Sequence, residues 1–181
     1  TMGFSLESAH ATGDPVKAID QTDSIFIGGG NTFRLLKALQ DLGLIDPIRR
    51  KIESGAPYIG SSAGSNVAGP TIKTTNDMPI VQPASFDSLD LVPFQLNPHY
   101  LDADPSSTHM GETREERIVQ FLEENETPVV GLREGAWIVV ENGSAILSGR
   151  TGARIFRRNH LPIEAASGDN ILELAGLTTT V

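Results

Sequence analysis

The chain has 181 residues, 39% of them hydrophobic and 20% charged, which suits one folded domain around one sizeable core and excludes a disordered chain. Its net charge of −9 repels phosphate backbones, so no nucleic-acid partner is expected, and an acidic substrate must be captured by cations inside the site. The absence of cysteine excludes disulfides, thiolate catalysis and Cys-ligated metals and fits a cytoplasmic location. No apolar run approaches the ~20 residues that cross a bilayer, and residues 1–5 lack the start of a secretory signal, so no membrane partner is expected.

The elements follow a strand–turn–helix rhythm. Ser24-Ile25-Phe26-Ile27 predicts a buried strand, ended by Gly28-Gly29-Gly30. Phe33, Leu35, Leu36 and Leu39 have helical spacing, with Gly43 as the stop. A second helix is expected from Pro47 to Ser54. Ala56 to Gly60 predicts a strand, and Ala63 to Ala68 a short helix before Pro70. Val92 to Asn97 predicts a strand leading into Pro98-His99. Thr113 and Glu116 form a capping box ahead of Ile118, Phe121 and Leu122, which predicts a helix. Val129 to Leu132 reads as another buried strand. Trp137 to Val140, the Asn142-Gly143 turn and Ser144 to Leu147 predict a β-hairpin, and Arg154 to Arg157 one more strand. Together these imply an α/β fold: a mostly parallel sheet flanked by helices, with an antiparallel end.

Gly60-Ser61-Ser62-Ala63-Gly64 matches Gly-x-Ser-x-Gly, in which a strand turns sharply into a helix. Glycines flank the serine because the turn leaves no room for side chains there. The bend lifts Ser62 above the sheet and aims N–H groups at a bound carbonyl. The bland alternative is a plain Gly-Ser turn. Ser61, one place early in the motif, reads as a spectator.

A serine hydroxyl needs a base within hydrogen-bond reach. Of the four histidines, His10 and His160 sit in polar or turn segments and His109 in the loop 105–111. Only His99 directly follows a predicted buried strand, where an open parallel sheet presents residues to its ligand crevice. It could equally be a loop histidine after a proline. Gly28-Gly29-Gly30-Asn31 holds the same place after its own strand. It could cradle a phosphate, supply an oxyanion donor or simply form a tight turn. It fits neither a dinucleotide nor a Walker pattern.

Five segments in order resemble the peptidase E (α-aspartyl dipeptidase) family: Phe26 to Phe33, Tyr58 to Gly64, Thr75 to Ile80, Asn97-Pro98-His99 and Gly111 to Glu115. The resemblance implies a fold related to class I glutamine amidotransferases and hydrolysis of dipeptides with N-terminal aspartate through an acyl-enzyme, with no metal or cofactor. By motif, Ser62 would be the nucleophile, His99 the general base, and the Gly30 and Ala63 N–H groups the oxyanion donors. Glu134 and Asp77 are equal candidates for the triad carboxylate. Arg114 at a helix start is the candidate for the substrate carboxylate, with Asn31 adding a hydrogen bond and Lys73 and Arg133 as weaker alternatives.

Two departures from the family matter. The family has Trp-Ser-Ala-Gly-Ala at the elbow, whereas this chain has Ser61-Ser62-Ala63-Gly64-Ser65. The family also has roughly a strand–helix–strand before the region matching Thr1. The chain is therefore expected to be a single α/β domain, residues 1–181, short of those elements, with a homodimer as one way to cover the surface they leave. A cyanophycinase-like hydrolase of β-aspartyl-arginine and a non-catalytic binding module are the alternative functions.

Overall fold

A computed structural model describes residues 3, 5–104, 106, 108 and 111–177. His109 and three of the first five residues, Thr1, Met2 and Phe4, lie outside the described residues. Among the described residues no helix is long and apolar enough to cross a membrane.

The chain opens with a short 3-10 turn, Ala9–Ala11, and helix α1 (Pro15–Gln21). Asp14 caps α1 by accepting the Lys17 N–H at 3.0 Å, with Pro15 in the first turn, where its missing N–H costs nothing. Strand β1 (Ile25–Ile27) leads to α2 (Thr32–Asp41) and α3 (Ile45–Glu53). Strand β2 (Tyr58–Gly60) runs parallel to β1, with Ile25 opposite Tyr58 and Ile27 opposite Gly60. Helix α4 (Ala63–Ala68) follows at once. The apolar face of β1 packs with α1 to α4 in a cluster containing Ile25, Ile27, Leu36, Ile48 and Val67. The other face of the ladder shows Phe26 and its partner Ile59 to solvent, 59% and 58% exposed.

The second sheet begins with β3 (Gln95–Pro98), buried along its length and parallel to β4 (Val129–Leu132). Between them lies α5 (Arg114–Glu124), which has both halves of the expected capping box. Strand β7 (Ala153–Phe156) adds antiparallel to β4, and β8 (Ile163–Ala165) to β7. The hairpin β5 (Ala136–Glu141) and β6 (Ser144–Gly149) turns at Asn142-Gly143, both at positive φ, as its two-residue loop requires. The hairpin and helix α6 (Ile171–Leu174) share a core with the sheet through Leu96, Val130, Leu147, Ile155 and Ile171. Tyr100, Val129 and Phe156 pack with Ile118 and Leu122 of α5 in a separate cluster.

The α/β architecture is the expected one, with its hairpin near the C-terminal end, but in place of one mostly parallel sheet the described residues form three sheets, with two parallel pairings and three antiparallel ones. Its two parallel ladders are not joined edge to edge. Instead α4 packs on β1, β2 and β3, and side chains occupy the carbonyls on the free edge of β3. Asn66 and Thr74 both donate to the Leu96 carbonyl, at 2.7 and 2.9 Å, and Asn76 donates to that of Pro98 at 2.9 Å. These bonds satisfy buried backbone acceptors that a neighbouring strand would otherwise take. Strand β3 also starts at Gln95 and not at Val92, and α3 starts two residues before Pro47. Helices α1 and α6 and strand β8 are additional to the expected elements.

Leu36 is fully buried in the cluster around β1. Its replacement by alanine leaves a cavity and should cost about 2–5 kcal/mol of stability, read as a lower urea midpoint with an unchanged slope.

Candidate active site

The site begins with the backbone at β2. The Ser61 N–H donates to the Ile27 carbonyl at 3.0 Å and the Gly64 N–H to that of Gly28 at 3.2 Å, so the β1–β2 pairing continues into the bend. A Cβ on Gly64 would collide with the Ile27 carbonyl, and one on Gly60 would lie 2.6 Å from the Gly64 carbonyl oxygen. Only glycine fits at either place. The Tyr58 hydroxyl closes the bend by donating to the Gly64 carbonyl at 2.6 Å. Burial raises the pKa of that phenol well above its usual value, so it stays a donor.

Ser62 sits at the apex with φ 54° and ψ −112°. Such a backbone costs of order 1–3 kcal/mol in a non-glycine residue and is held by the packing around it. Its side chain makes no capping bond to α4. Instead Ser62 Oγ lies 2.8 Å from His99 Nε2. His99 follows β3 directly, also at positive φ, 57°. Its Nδ1 meets Glu134 Oε1 in a short contact. With the proton on Nδ1, His99 donates to Glu134 and accepts from the serine hydroxyl, the tautomer a general base needs. Glu134 follows β4, and Thr151 donates to its backbone carbonyl at 2.5 Å. Ser62, His99 and Glu134 are therefore brought together as expected, from the carboxyl ends of three strands.

Asp77 is placed elsewhere, which corrects its candidacy as the triad carboxylate. Its Oδ2 accepts from the Thr32 N–H at 2.7 Å, the Thr32 hydroxyl at 2.6 Å and the Thr75 hydroxyl at 3.3 Å. It satisfies an orphan N–H in the first turn of α2 and does not bond His99. Asn31, the second candidate to change its role, is the N-cap of α2. Its Oδ1 accepts the Arg34 N–H at 3.1 Å and its Nδ2 donates to the Met78 carbonyl at 2.8 Å, which leaves one amide hydrogen for a ligand. His10 bonds Ser8 and His160 bonds the Arg158 carbonyl, so neither takes part in the triad.

The Gly28-Gly29-Gly30 turn lies against the serine, since a Cβ on Gly29 would be 3.2 Å from Ser62 Cβ. Gly30 has φ 138°, a conformation closed to other residues. Among the described residues, the N–H groups of Gly30 and Ala63 donate to no backbone carbonyl. Ala63 is the first residue of α4, where helix N–H groups are unsatisfied.

A cleft of about 740 Å³ opens from Ser62, His99 and Glu134 and runs between β2 and the hairpin. Tyr58, Leu132, Trp137, Ile138 and Val140 give it an apolar wall, and Ser61 lies at its edge. A tryptophan at position 61 would fill part of this space. Gly30, Asn31 and Arg114 are not among its lining residues. Arg114, at the first position of α5, is half-buried and has no ion pair among the described residues. Burial lowers its pKa, Arg117 lowers it further, and Asp77 opposes both, which puts Arg114 within electrostatic range of Asp77. Arg133, the weaker alternative, already holds Asp102 through Nε at 2.8 Å and Nη2 at 2.7 Å, and Glu164 through Nη1 at 2.9 Å.

The chain is similar to known proteins. A Streptomyces coelicolor protein named Peptidase E is 55% identical over 172 residues, covering 95% of this chain and 71% of that protein. A Drosophila melanogaster protein named "Probable alpha-aspartyl dipeptidase" is 49% identical over 156 residues, covering 86% of this chain and 65% of that protein. The chain thus spans about two thirds to three quarters of the length of such relatives. The crystal structure of a peptidase from an acI-B1 Actinobacterium matches 86% of this chain and 62% of that one, with a TM-score of 0.63 at 16% identity, and shows the fold alone. The model of peptidase family S51 matches residues 1–148, and the chain belongs to that family.

Proposed function

We propose that the chain is a serine peptidase that cleaves dipeptides after an N-terminal aspartate. The observation that carries the reading is the bridging position of His99, one ring nitrogen on Ser62 and the other on Glu134. The name of the Drosophila melanogaster relative supports the substrate class, and that of the Streptomyces coelicolor relative supports a peptidase.

Ser62 Oγ attacks the peptide carbonyl while His99 Nε2 takes its proton. Glu134 stabilises the imidazolium through Nδ1 without taking the proton itself. The Gly30 and Ala63 N–H groups, which among the described residues donate to no backbone carbonyl, receive the oxyanion. His99 then gives its proton to the leaving amine. A water molecule repeats the path in reverse, with His99 as base, and releases aspartate from Ser62. The leaving residue occupies the apolar cleft beside Trp137 and Ile138. The aspartyl side chain lies on the Gly30 side, with Arg114 as its cation, a role supported by the place of Arg114 at the start of α5 and within electrostatic range of Asp77, which bonds the first turn of α2.

Ser62→Ala should abolish hydrolysis of Asp-Leu and labelling by a serine-directed phosphonate; retained turnover overturns the nucleophile. Glu134→Gln should lower kcat by about 10²–10⁴-fold and Asp77→Asn far less, because only Glu134 touches the imidazole. Asp-Leu should be cleaved in preference to a β-linked Asp-Arg dipeptide, the reverse order favouring a cyanophycinase-like activity. Gly64→Ala should abolish phosphonate labelling through displacement of the bend, even in protein that retains its far-ultraviolet circular dichroism.

A further inference from the structure

His99 and Glu134 form an ion pair that cannot hold itself in place. Their side chains are 52% and 74% exposed, so water screens their attraction while holding them costs both side chains their freedom. His99 also sits in a strained backbone conformation. The geometry points to a clamp beside the pair, one residue from Glu134 and three from His99: Arg133 and Asp102 are positioning residues that hold the His99 and Glu134 loops in register. This inference rests on the triad reading above and adds a role for two side chains outside it.

Three contacts join the two loops. Tyr100, next to His99, donates its N–H to the Leu132 carbonyl at 3.1 Å and so extends the β3–β4 ladder by one bond. Its ring is buried against Gly131, where a Cβ would lie 2.7 Å away, and tilts onto Phe156 at 5.6 Å. The Arg133 guanidinium, next to Glu134, stacks over the Tyr100 ring at 5.7 Å. It then reaches across to Asp102 through two parallel bonds, at 2.8 and 2.7 Å. A forked pair of this kind fixes both distance and angle, which a single-point contact does not. The Arg133 side chain is only 19% exposed, so the clamp is drier than the pair that it supports.

The surroundings back the clamp from the sheet side. Glu164 of β8 holds Arg133 Nη1 at 2.9 Å, and Arg154 of β7 lies 3.7 Å from Asp102 and 3.5 Å from Glu164. Arg133 holds the Asp102 carboxyl below the usual carboxylate range. A depressed carboxylate stabilises the fold above its unfolded pKa and loses that contribution as pH falls through the folded one, so the clamp is fully formed at neutral pH and released in acid. With three of its N–H groups taken by carboxylates, Arg133 is engaged before any substrate arrives.

The test uses the whole chain and five proteins: wild type, Asp102→Asn, Arg133→Met, Glu164→Gln and the double variant Asp102→Arg with Arg133→Asp. Phosphonate labelling of Ser62 and the kcat and KM for Asp-Leu are measured per folded molecule, with folding followed by circular dichroism. Asp102→Asn and Arg133→Met should each lower kcat and the labelling rate by about tenfold or more, with KM nearly unchanged, since a small displacement of the base acts on the chemical step. The charge-swapped pair Asp102→Arg with Arg133→Asp should recover part of the loss. Glu164→Gln, which removes the outer partner alone, should leave kcat unchanged. Unchanged kcat in the first two variants, a loss confined to KM, or an equal loss in Glu164→Gln overturns the clamp. Wild-type protein that resists labelling and does not turn over Asp-Leu overturns the triad reading instead, whatever the variants do.

Discussion

The site depends on one steric constraint: the chain after β2 must pass directly against the end of β1, with no room for a Cβ at position 64. That contact forces the bend, puts Ser62 at an unfavourable φ, and starts α4 with its N–H groups beside the Gly28-Gly29-Gly30 turn. The strain at Ser62 is sustained by the parallel ladder below it, in which the Ile27 and Gly28 carbonyls accept from Ser61 and Gly64. A serine in the extended backbone geometry of an ordinary N-cap would turn its hydroxyl to the helix end, as Thr113 does in capping α5. At the apex of the bend that option is closed, and the hydroxyl is left to the imidazole.

The features legible in the sequence were those set by neighbours within a few residues. The two glycines around Ser62, the Thr113–Glu116 box and the Asn142-Gly143 turn each state a local backbone demand, and each is met where it was expected. Helix α1 carries an equally local signal, Asp14 before Pro15, but its seven residues hold too short an apolar pattern to predict a helix. The carboxylate was a different matter. Asp77 and Glu134 both follow plausible segments, and what separates them is a set of contacts bridging 35 to 45 residues. No periodicity encodes such a pairing. The same holds for the free edge of β3, whose carbonyls are met by side chains 22 to 30 residues away.

Charge is used locally in a chain that is acidic as a whole. Arg133 and Arg154 are surrounded by Asp102, Glu115 and Glu164, so these two cations serve the architecture. Arg114 is left apart from that network, with burial and Arg117 both working against its charge. A site prepared in this way gains most when an anion arrives, because the incoming charge relieves a repulsion already present. The net charge of −9 meanwhile repels an anion at a distance, so any capture is left to such local cations.

The nucleophile and its base stand on separate sheets, and α4 is the bridge between them. Asn66, on that helix, grips the Leu96 carbonyl of the strand that ends in His99. Breathing of one sheet against the other therefore strains this six-residue helix, together with residues 74–78, which bond β3 on one side and the start of α2 on the other, and appears as a change in the gap between hydroxyl and imidazole. Warming the protein would loosen the reactive pair before the two cores give way, so heat inactivation would run ahead of global melting.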